Sequence, residues 1–192
     1  MMRSILVMVL FAFSASVYAD GFNYNSVTLS YGQMQFDDLD VDGDSIGISG
    51  SFEVGEKFFL AAGYGKSDIG DNFISADIDS WSAGVGYHMP MSDRFDLVTS
   101  LSYEYVDISV DGFGSESDNG IGIGAGVRFA ATEKFEIDGG VSYVDYSDGG
   151  DDTSFGLGFL YNFTDSFSAG ASGNWGDDTS AYGIGGRFYF GN

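Results

Sequence analysis

The sequence contains no cysteine, a single proline and a single histidine among its 192 residues. Without cysteine, neither disulfide bonds nor thiolate metal sites can form. Because His88 is the single histidine, most metal and acid–base sites that are built from imidazole groups are excluded. Basic residues are also scarce, because 7 lysines and arginines stand against 29 aspartates and glutamates, for a formal net charge of −22. A surface of this charge does not bind nucleic-acid phosphates unaided, so no nucleic-acid partner is expected.

Long apolar runs are missing after the first residues of the chain. Arg3 precedes an apolar stretch over residues 5–13, and Val17-Tyr18-Ala19 forms a cleavage site of the small-x-small type before Asp20. These features predict a secretory signal peptide over residues 1–19 and one mature domain over residues 20–192. The apolar stretch is shorter than the roughly 20 residues of a spanning helix. An exported chain without such a helix is either a soluble secreted protein or a membrane β-barrel.

The rest of the sequence alternates with a period of two residues. Over residues 121–129 the odd positions are apolar and the even positions are Gly or Arg. Successive side chains of a strand point to opposite faces, so one face is apolar and the other is small or polar. An antiparallel barrel of ten strands is predicted, with eight as the alternative if the first segment, which carries Gln33 and Gln35, and one other do not span the membrane. The predicted strands, most of them about as long as a tilted bilayer-spanning strand, are 26–36, 45–54, 58–67, 79–89, 95–107, 119–129, 135–146, 153–163, 167–175 and 180–190.

Short connections alternate with longer acidic ones along the chain. The predicted long loops cover residues 37–44, 68–78, 108–118 and 147–152, and a brief one covers 176–179. Short turns at one end and long loops at the other are typical of the periplasmic and extracellular ends of outer-membrane β-barrels. The short turns also share an acidic residue, a basic or polar residue and Phe, at Glu56-Lys57-Phe58, Asp93-Arg94-Phe95, Glu133-Lys134-Phe135 and Asp165-Ser166-Phe167.

Three features of the apolar face indicate that it meets lipid rather than a soluble core. The opposite face is mainly Gly and Ser, which makes a poor soluble surface. Charges on the apolar face occur only near strand ends, at Lys66, Asp79, Asp107 and Asp145, where a lipid-facing charge costs least. Aromatic residues of this face form two belts, as expected at the two membrane–water interfaces. The belt at the turn end includes Phe58, Phe95, Phe129, Phe135, Phe163, Phe167 and Phe190, and the belt at the loop end includes Tyr64, Trp81, Tyr103, Tyr143, Trp175 and Tyr182.

On these residues the chain resembles the porin-family outer-membrane β-barrels, the group that contains the small opacity-type and OmpX- or OmpW-like proteins. The resemblance also rests on three short segments within the predicted strands, Ala62-Gly63-Tyr64-Gly65, Gly84-Val85-Gly86-Tyr87 and Gly185-Gly186-Arg187-Phe188-Tyr189-Phe190. The resemblance covers the signal peptide and the whole mature chain. It implies residence in the outer membrane of a Gram-negative cell envelope, with lipid and lipopolysaccharide as neighbours and the barrel-assembly machinery as a partner during biogenesis. We expect a monomer without a cofactor.

The predicted lumen contains charged residues close to the turn end. Two arginines among several carboxylates could form a gate at the periplasmic end if their ion pairs exchange partners, or a static polar network that holds the barrel together. The candidate lumen residues are Glu53, His88, Asp96, Arg128, Glu136, Asp138 and Arg187.

The first long loop carries alternating aspartates, Asp38, Asp40, Asp42 and Asp44, with Gly43 in the turn. The pattern imitates the start of an EF-hand loop, but the twelfth position is Ser49 rather than Glu and strands flank it, so it is not an EF-hand. The carboxylates could hold Ca²⁺ or Mg²⁺ loosely, or they form a solvated acidic rim; no metal site is assigned.

These observations favour a protein that is not an enzyme. His88 is predicted to lie inside the barrel near the turn end, where pairing with Asp96 is conceivable and an ordinary hydrogen-bonded lumen histidine is the simpler reading. The leading function is a narrow pore for small solutes, with a preference for cations because the lumen is acidic. The alternatives are a surface-interaction, adhesin-like or passive structural barrel that acts through its acidic loops, and a soluble ligand-binding barrel.

Overall fold

A computed structural model describes residues 17–18, 21–36, 41–70, 75–148 and 150–191. Among these residues there is no helix long and apolar enough to cross a membrane. Two short strands, β1 (Val17–Tyr18) and β2 (Gly21–Phe22), pair with each other ahead of the main sheet. The main sheet is built from β3 (Ser26–Phe36), β4 (Val41–Val54), β5 (Phe58–Gly70), β6 (Ser75–Ser92), β7 (Phe95–Val110), β8 (Gly114–Ala130), β9 (Phe135–Tyr146), β10 (Gly150–Thr164), β11 (Phe167–Trp175) and β12 (Thr179–Tyr189).

The ten strands β3 to β12 form a closed antiparallel barrel. Each strand pairs with its neighbours in sequence, and β12 returns to β3 with Tyr189 opposite Ser26 and Thr179 opposite Phe36. The prediction of ten strands is confirmed, and the alternative of eight is wrong. Gln33 and Gln35 lie exposed on β3, yet β3 pairs along its full length with both neighbours. Backbone pairing therefore completes this strand although its outer face is partly polar.

Several strands are longer at the loop end than the alternation of side chains indicated. Residues 108–110 and 114–118, predicted as loop, are paired parts of β7 and β8, and Asp77 on β6 pairs with Ser109 on β7. Beyond the lipid both faces of a strand can be polar, so the hydrogen-bonded ladder continues where the apolar alternation stops. At the turn end, β6 runs through Pro90 with a register shift before Ser92, so the connection between the strands predicted at 79–89 and 95–107 is shorter than expected.

The two faces of the barrel differ as the alternation predicted. Large apolar side chains such as Leu101, Ile123 and Ile184 are exposed on the outer face, with 52%, 56% and 65% of their surface accessible. All the belt residues lie on this outer face, and several of them stack on neighbours, for example Trp81 on Tyr105 at 5.6 Å between ring centroids. The inner face is mainly glycine, serine and a few charged residues, so the strands enclose a narrow lumen.

The predicted signal peptide falls almost entirely outside the described residues. Its cleavage before Asp20 stays a prediction.

Candidate functional site

The turn end of the lumen contains a buried ion pair between β8 and β9. Arg128 donates to Glu136 Oε1 from Nε at 2.8 Å and from Nη2 at 2.5 Å. Arg128 is 1% exposed and Glu136 is fully buried. A buried pair of this kind is stable only with good geometry and further contacts. The guanidinium also lies over two aromatic rings, 4.3 Å from the centroid of Phe22 and 4.8 Å from that of Tyr24.

Tyr24 is the centre of a second buried group at the same end. Its ring stacks between Phe59, at 4.8 Å, and His88, at 4.2 Å. Its hydroxyl donates to Asp96 Oδ2 at 2.9 Å, and His88 Nδ1 lies 3.3 Å from the same oxygen. Burial raises the pKa of the Tyr24 phenol, so this group stays protonated and donates the hydrogen bond at neutral pH. His88 does approach Asp96, and the Tyr24 ring covers the imidazole face.

Polar contacts attach the segment that carries Tyr24 to the barrel wall. Asn25 Nδ2 donates to Glu53 Oε2 at 2.7 Å, and the Glu53 backbone N–H donates to Asn25 Oδ1 at 2.9 Å. The backbone N–H of Asn25 donates to Asn23 Oδ1 at 2.7 Å. The backbone N–H of Phe190 donates to the Asn25 carbonyl oxygen at 3.1 Å. We call residues 21–25 the N-terminal segment, and it lies across the turn end of the lumen.

The remaining candidate lumen residues lie on the wall beside this cluster. Arg187 is 1% exposed, and its Nε donates to Thr28 Oγ1 at 2.9 Å across the β12–β3 pair. Asp138 is directly opposite Arg128 in the β8–β9 register, but the hydrogen bonds of Arg128 given above go diagonally to Glu136. All seven residues proposed from the sequence therefore face the interior, and five are less than a tenth exposed.

Beyond the cluster the lumen widens into a cavity of about 140 Å³. Its wall is formed by glycines, serines and apolar residues, with Ser100, Gly124 and Ser142 among them. Three carboxylates also face it, Glu104, Asp138 and Asp152. Ser102 Oγ donates to Glu104 Oε1 at 2.6 Å. The cavity is therefore small, and it has three carboxylates and several serine hydroxyls on a wall that is otherwise mainly glycine and apolar side chains.

Apolar side chains occupy the lumen at the loop end. The cluster draws on five of the ten barrel strands, and its buried members are Met34, Phe36, Ile69, Ile78, Val106 and Tyr146. Each member has the same inward parity as the glycines and serines of its own strand. We call this group the loop-end cluster, and it narrows the lumen on the side opposite the N-terminal segment.

Residues 37–40 of the predicted first loop lie outside the described residues, and residues 41–44, predicted as loop with Gly43 in a turn, are instead a paired part of β4. Asp38 and Asp40 lie outside the described residues, Asp42 is exposed, and Asp44 accepts a hydrogen bond from the Tyr31 hydroxyl at 2.8 Å. Within the described ranges, no three histidine, aspartate or glutamate side chains are grouped so that they could hold a metal ion.

Sequence reasoning missed the two aromatic side chains that fill the turn end of the lumen, Phe22 and Tyr24, and the apolar cluster at the loop end. Phe22 and Tyr24 share the even parity of the inward residues Ser26 and Thr28, which was a signal that they continue the inner face. The loop-end cluster was signalled by apolar residues at inward parity, such as Ile78 and Val106. Glu104 has the inward parity of Asp96 on its strand, and Asp152 has that of Ser154 and Gly156 on β10.

Comparisons with known proteins agree with this architecture. The family described as "Outer membrane protein beta-barrel domain" matches residues 5–163. The chain belongs to this family of outer-membrane β-barrels. No curated protein matches the chain significantly.

Solved structures with the same fold include porins and the translocator domain of an autotransporter. The NanC porin aligns with a TM-score of 0.58 at 8% identity, over 85% of this chain and all (100%) of that chain. The translocator domain of the autotransporter NalP from Neisseria meningitidis aligns with a TM-score of 0.52 at 14% identity, over 88% of this chain and 89% of that chain. The KdgM porin aligns with a TM-score of 0.50 at 11% identity, over 85% of this chain and 99% of that chain. At these identities the similarity establishes the fold and not the function.

Proposed function

We propose that this outer-membrane barrel is a narrow, closable conduit that prefers small cations. The observation that carries the proposal is the small acidic cavity in the middle of the lumen, with Glu104, Asp138 and Asp152 on its wall. Carboxylates in a confined space of low dielectric attract cations and repel anions. The surrounding glycines and serines leave the space for a hydrated ion and supply hydroxyl and backbone partners.

The charges of the inner face support a preference for cations. Arg128 is neutralised by Glu136 in a direct ion pair, and Arg187 is not among the residues that line the cavity. The three cavity carboxylates outnumber the one arginine on the cavity wall, Arg128. This excess of carboxylates favours entry of a cation over entry of an anion of equal size.

The two ends of the lumen support a conduit that is closed most of the time. Phe22 and Tyr24 fill the turn end, and the loop-end cluster narrows the other. The side chains at both ends must move before an ion can pass, so we expect conduction to occur as rare, brief events. This also limits the solutes to small ones, since wide channels require barrels of about 16–18 strands.

Ion flux into vesicles tests the proposal. Vesicles that contain the refolded chain from Asp20 onwards are loaded with a dye that thallium ions quench, or in parallel with a dye that iodide quenches. We expect faster thallium entry than in protein-free vesicles and no faster iodide entry. Iodide entry equal to or faster than thallium entry, or no flux of either ion through inserted barrels, contradicts the proposal.

The proposal includes no enzymatic activity. The His88–Asp96 contact is the nearest approach to an acid–base pair, but His88 is 6% exposed and Tyr24 stacks on its face. A substrate cannot reach the imidazole in this arrangement. Lipid, lipopolysaccharide and the barrel-assembly machinery remain the expected partners, and the belts of aromatic residues on the outer face support contact with lipid.

A second candidate function, recognition at the cell surface, is favoured by one side chain. Phe113 lies at the tip of the hairpin between β7 and β8 and is 85% exposed. Gly112 and Gly114 on either side have positive φ angles of 81° and 97°, which hold the tight turn. An exposed aromatic residue is a typical anchor in a protein interface. If this function holds, Phe113→Ser lowers attachment of expressing cells to a binding surface at equal outer-membrane levels; unchanged attachment argues against it.

A further inference from the structure

We propose that the N-terminal segment, residues 21–25, is an autoinhibitory plug that closes the turn end of the lumen and can leave it without unfolding the barrel. This inference rests on the proposed function, because it names the element that regulates access to the conduit.

The segment fills the lumen with side chains rather than lining its wall. Tyr24 is 1% exposed and Phe22 is 7% exposed, and both pack in one cluster with Phe59, Val98 and Tyr189 from three different strands. A ring stacked on both Phe59 and His88 cannot share that space with a hydrated ion. The turn end is therefore blocked while Tyr24 is in place.

The plug lies directly against the cavity. Val98 packs in the cluster around Tyr24 and also lines the cavity, and Arg128 contacts the Phe22 and Tyr24 rings and lines the cavity as well. Removal of the two rings would thus join the cavity to the aqueous space at the turn end. The acidic wall residues would become accessible from that side.

The segment is separable from the barrel because the barrel ladder begins after it. Ser26 is the first residue of β3 and pairs with Ser51 on β4 and Tyr189 on β12. Withdrawal of residues 21–24 leaves these pairs and every other strand pair of the barrel intact. The contacts that would break include the Tyr24 hydrogen bond to Asp96, the two ring stacks and the contacts of Arg128 with the rings. Local opening of this kind costs less than global unfolding.

The absence of cysteine from the native sequence allows a direct test of access. Ser100→Cys places one thiol on the cavity wall between the two ends. The mature chain is inserted in vesicles, and protease is added outside. Molecules whose loops remain uncut have their turn end outside, and this gives their fraction. A small membrane-impermeant cationic methanethiosulfonate is then added outside; the thiolate attacks its sulfenyl sulfur, a mixed disulfide forms and sulfinate leaves. The labelling rate of that fraction measures entry from the turn end.

We expect slow labelling of Ser100→Cys alone and labelling at least about tenfold faster when Tyr24→Ala is added, because the reagent then reaches the thiol without prior local opening of the segment. Tyr24→Phe keeps both stacks and should label nearly as slowly as the parent. The matched control is Tyr146→Ala, which removes the same side chain from the loop-end cluster and should not speed entry from the turn end.

If Tyr24→Ala does not fold, as judged by far-UV circular dichroism, Phe22→Ala is measured in the same way with a smaller increase expected. Equal labelling rates with and without the segment substitutions overturn the plug, and so does equal acceleration by Tyr146→Ala. Access is measured here without any conduction. If labelling shows no plug, the result of the ion-flux experiment is unaffected. If labelling shows a removable plug but the barrel carries no ion flux, only the proposed conduit is refuted.

Discussion

Arg128 on β8 forms its ion pair diagonally, with Glu136 on β9, although Asp138 is its direct neighbour across the strands. The diagonal bond draws the guanidinium toward the turn end, where it lies over the rings of Phe22 and Tyr24. One arginine thereby links the barrel wall to the N-terminal segment. Because Arg128 bonds to Glu136, the Asp138 carboxylate faces the cavity and adds its negative charge to the cavity wall.

Loss of Glu136 should destabilise the barrel strongly. Glu136→Ala leaves the buried Arg128 charge without its carboxylate, and removal of one partner of a buried ion pair costs about 3–5 kcal/mol. The measurement is the free energy of unfolding by guanidinium chloride in lipid vesicles. The double variant Arg128→Met with Glu136→Leu replaces the pair by apolar side chains and is expected to lose less than Glu136→Ala alone. A double variant that is less stable than the single one contradicts this explanation.

Gly86 is predicted to be intolerant of a side chain. A Cβ at this position would lie 2.0 Å from the ring of Phe59, which supports Tyr24. Gly86→Ala must therefore displace a fully buried ring, and we expect a loss of about 1–3 kcal/mol in unfolding free energy. Gly156→Ala is the matched control, because its Cβ would meet the Asn174 amide at 3.4 Å. Equal losses in the two variants show that Phe59 is not the cause.

The loss of stability caused by a charge on the outer face should depend on how deep in the lipid that charge lies. Ile123 lies on β8 and is 56% exposed, and Ser117 lies six residues earlier on the same face near the loop end. Ile123→Lys is expected to cost about 2–4 kcal/mol and Ser117→Lys about 0–1 kcal/mol in a bilayer. Unfolding in vesicles gives both values. If the two substitutions cost the same in a bilayer, the strand does not cross lipid as described.

The cavity carboxylates should set the ion preference. Asp138→Asn removes a charge from the cavity wall with little change in shape, so the ratio of thallium to iodide entry should fall. Asp42→Asn is the control, because Asp42 is exposed outside the cavity. The flux assay in vesicles compares the two variants. A ratio that falls equally in both variants assigns the preference to the acidic surface rather than to the lumen.

The outer face of this barrel could be predicted from sequence, and the contents of its lumen only in part. Lipid requires an apolar residue at every second position, so strands such as β9 and β11 were located with their observed bounds. No such rule governs the inner face, where Gly124, Glu104 and Val106 all occur at inward positions. Parity placed Arg128 and Glu136 inside, but only the register and side-chain directions reveal that they pair diagonally. Tyr24 precedes the first spanning strand, and its role depends on contacts with residues 72 positions away.

Single-channel recording of the mature chain in a planar bilayer under a tenfold KCl gradient tests the central claim most directly. The account predicts brief, discrete current steps in the native chain, longer ones in Tyr24→Ala, and in both a reversal potential of the sign set by potassium. A reversal potential at zero or of the sign set by chloride would contradict it. So would silence from folded, inserted barrels of both chains.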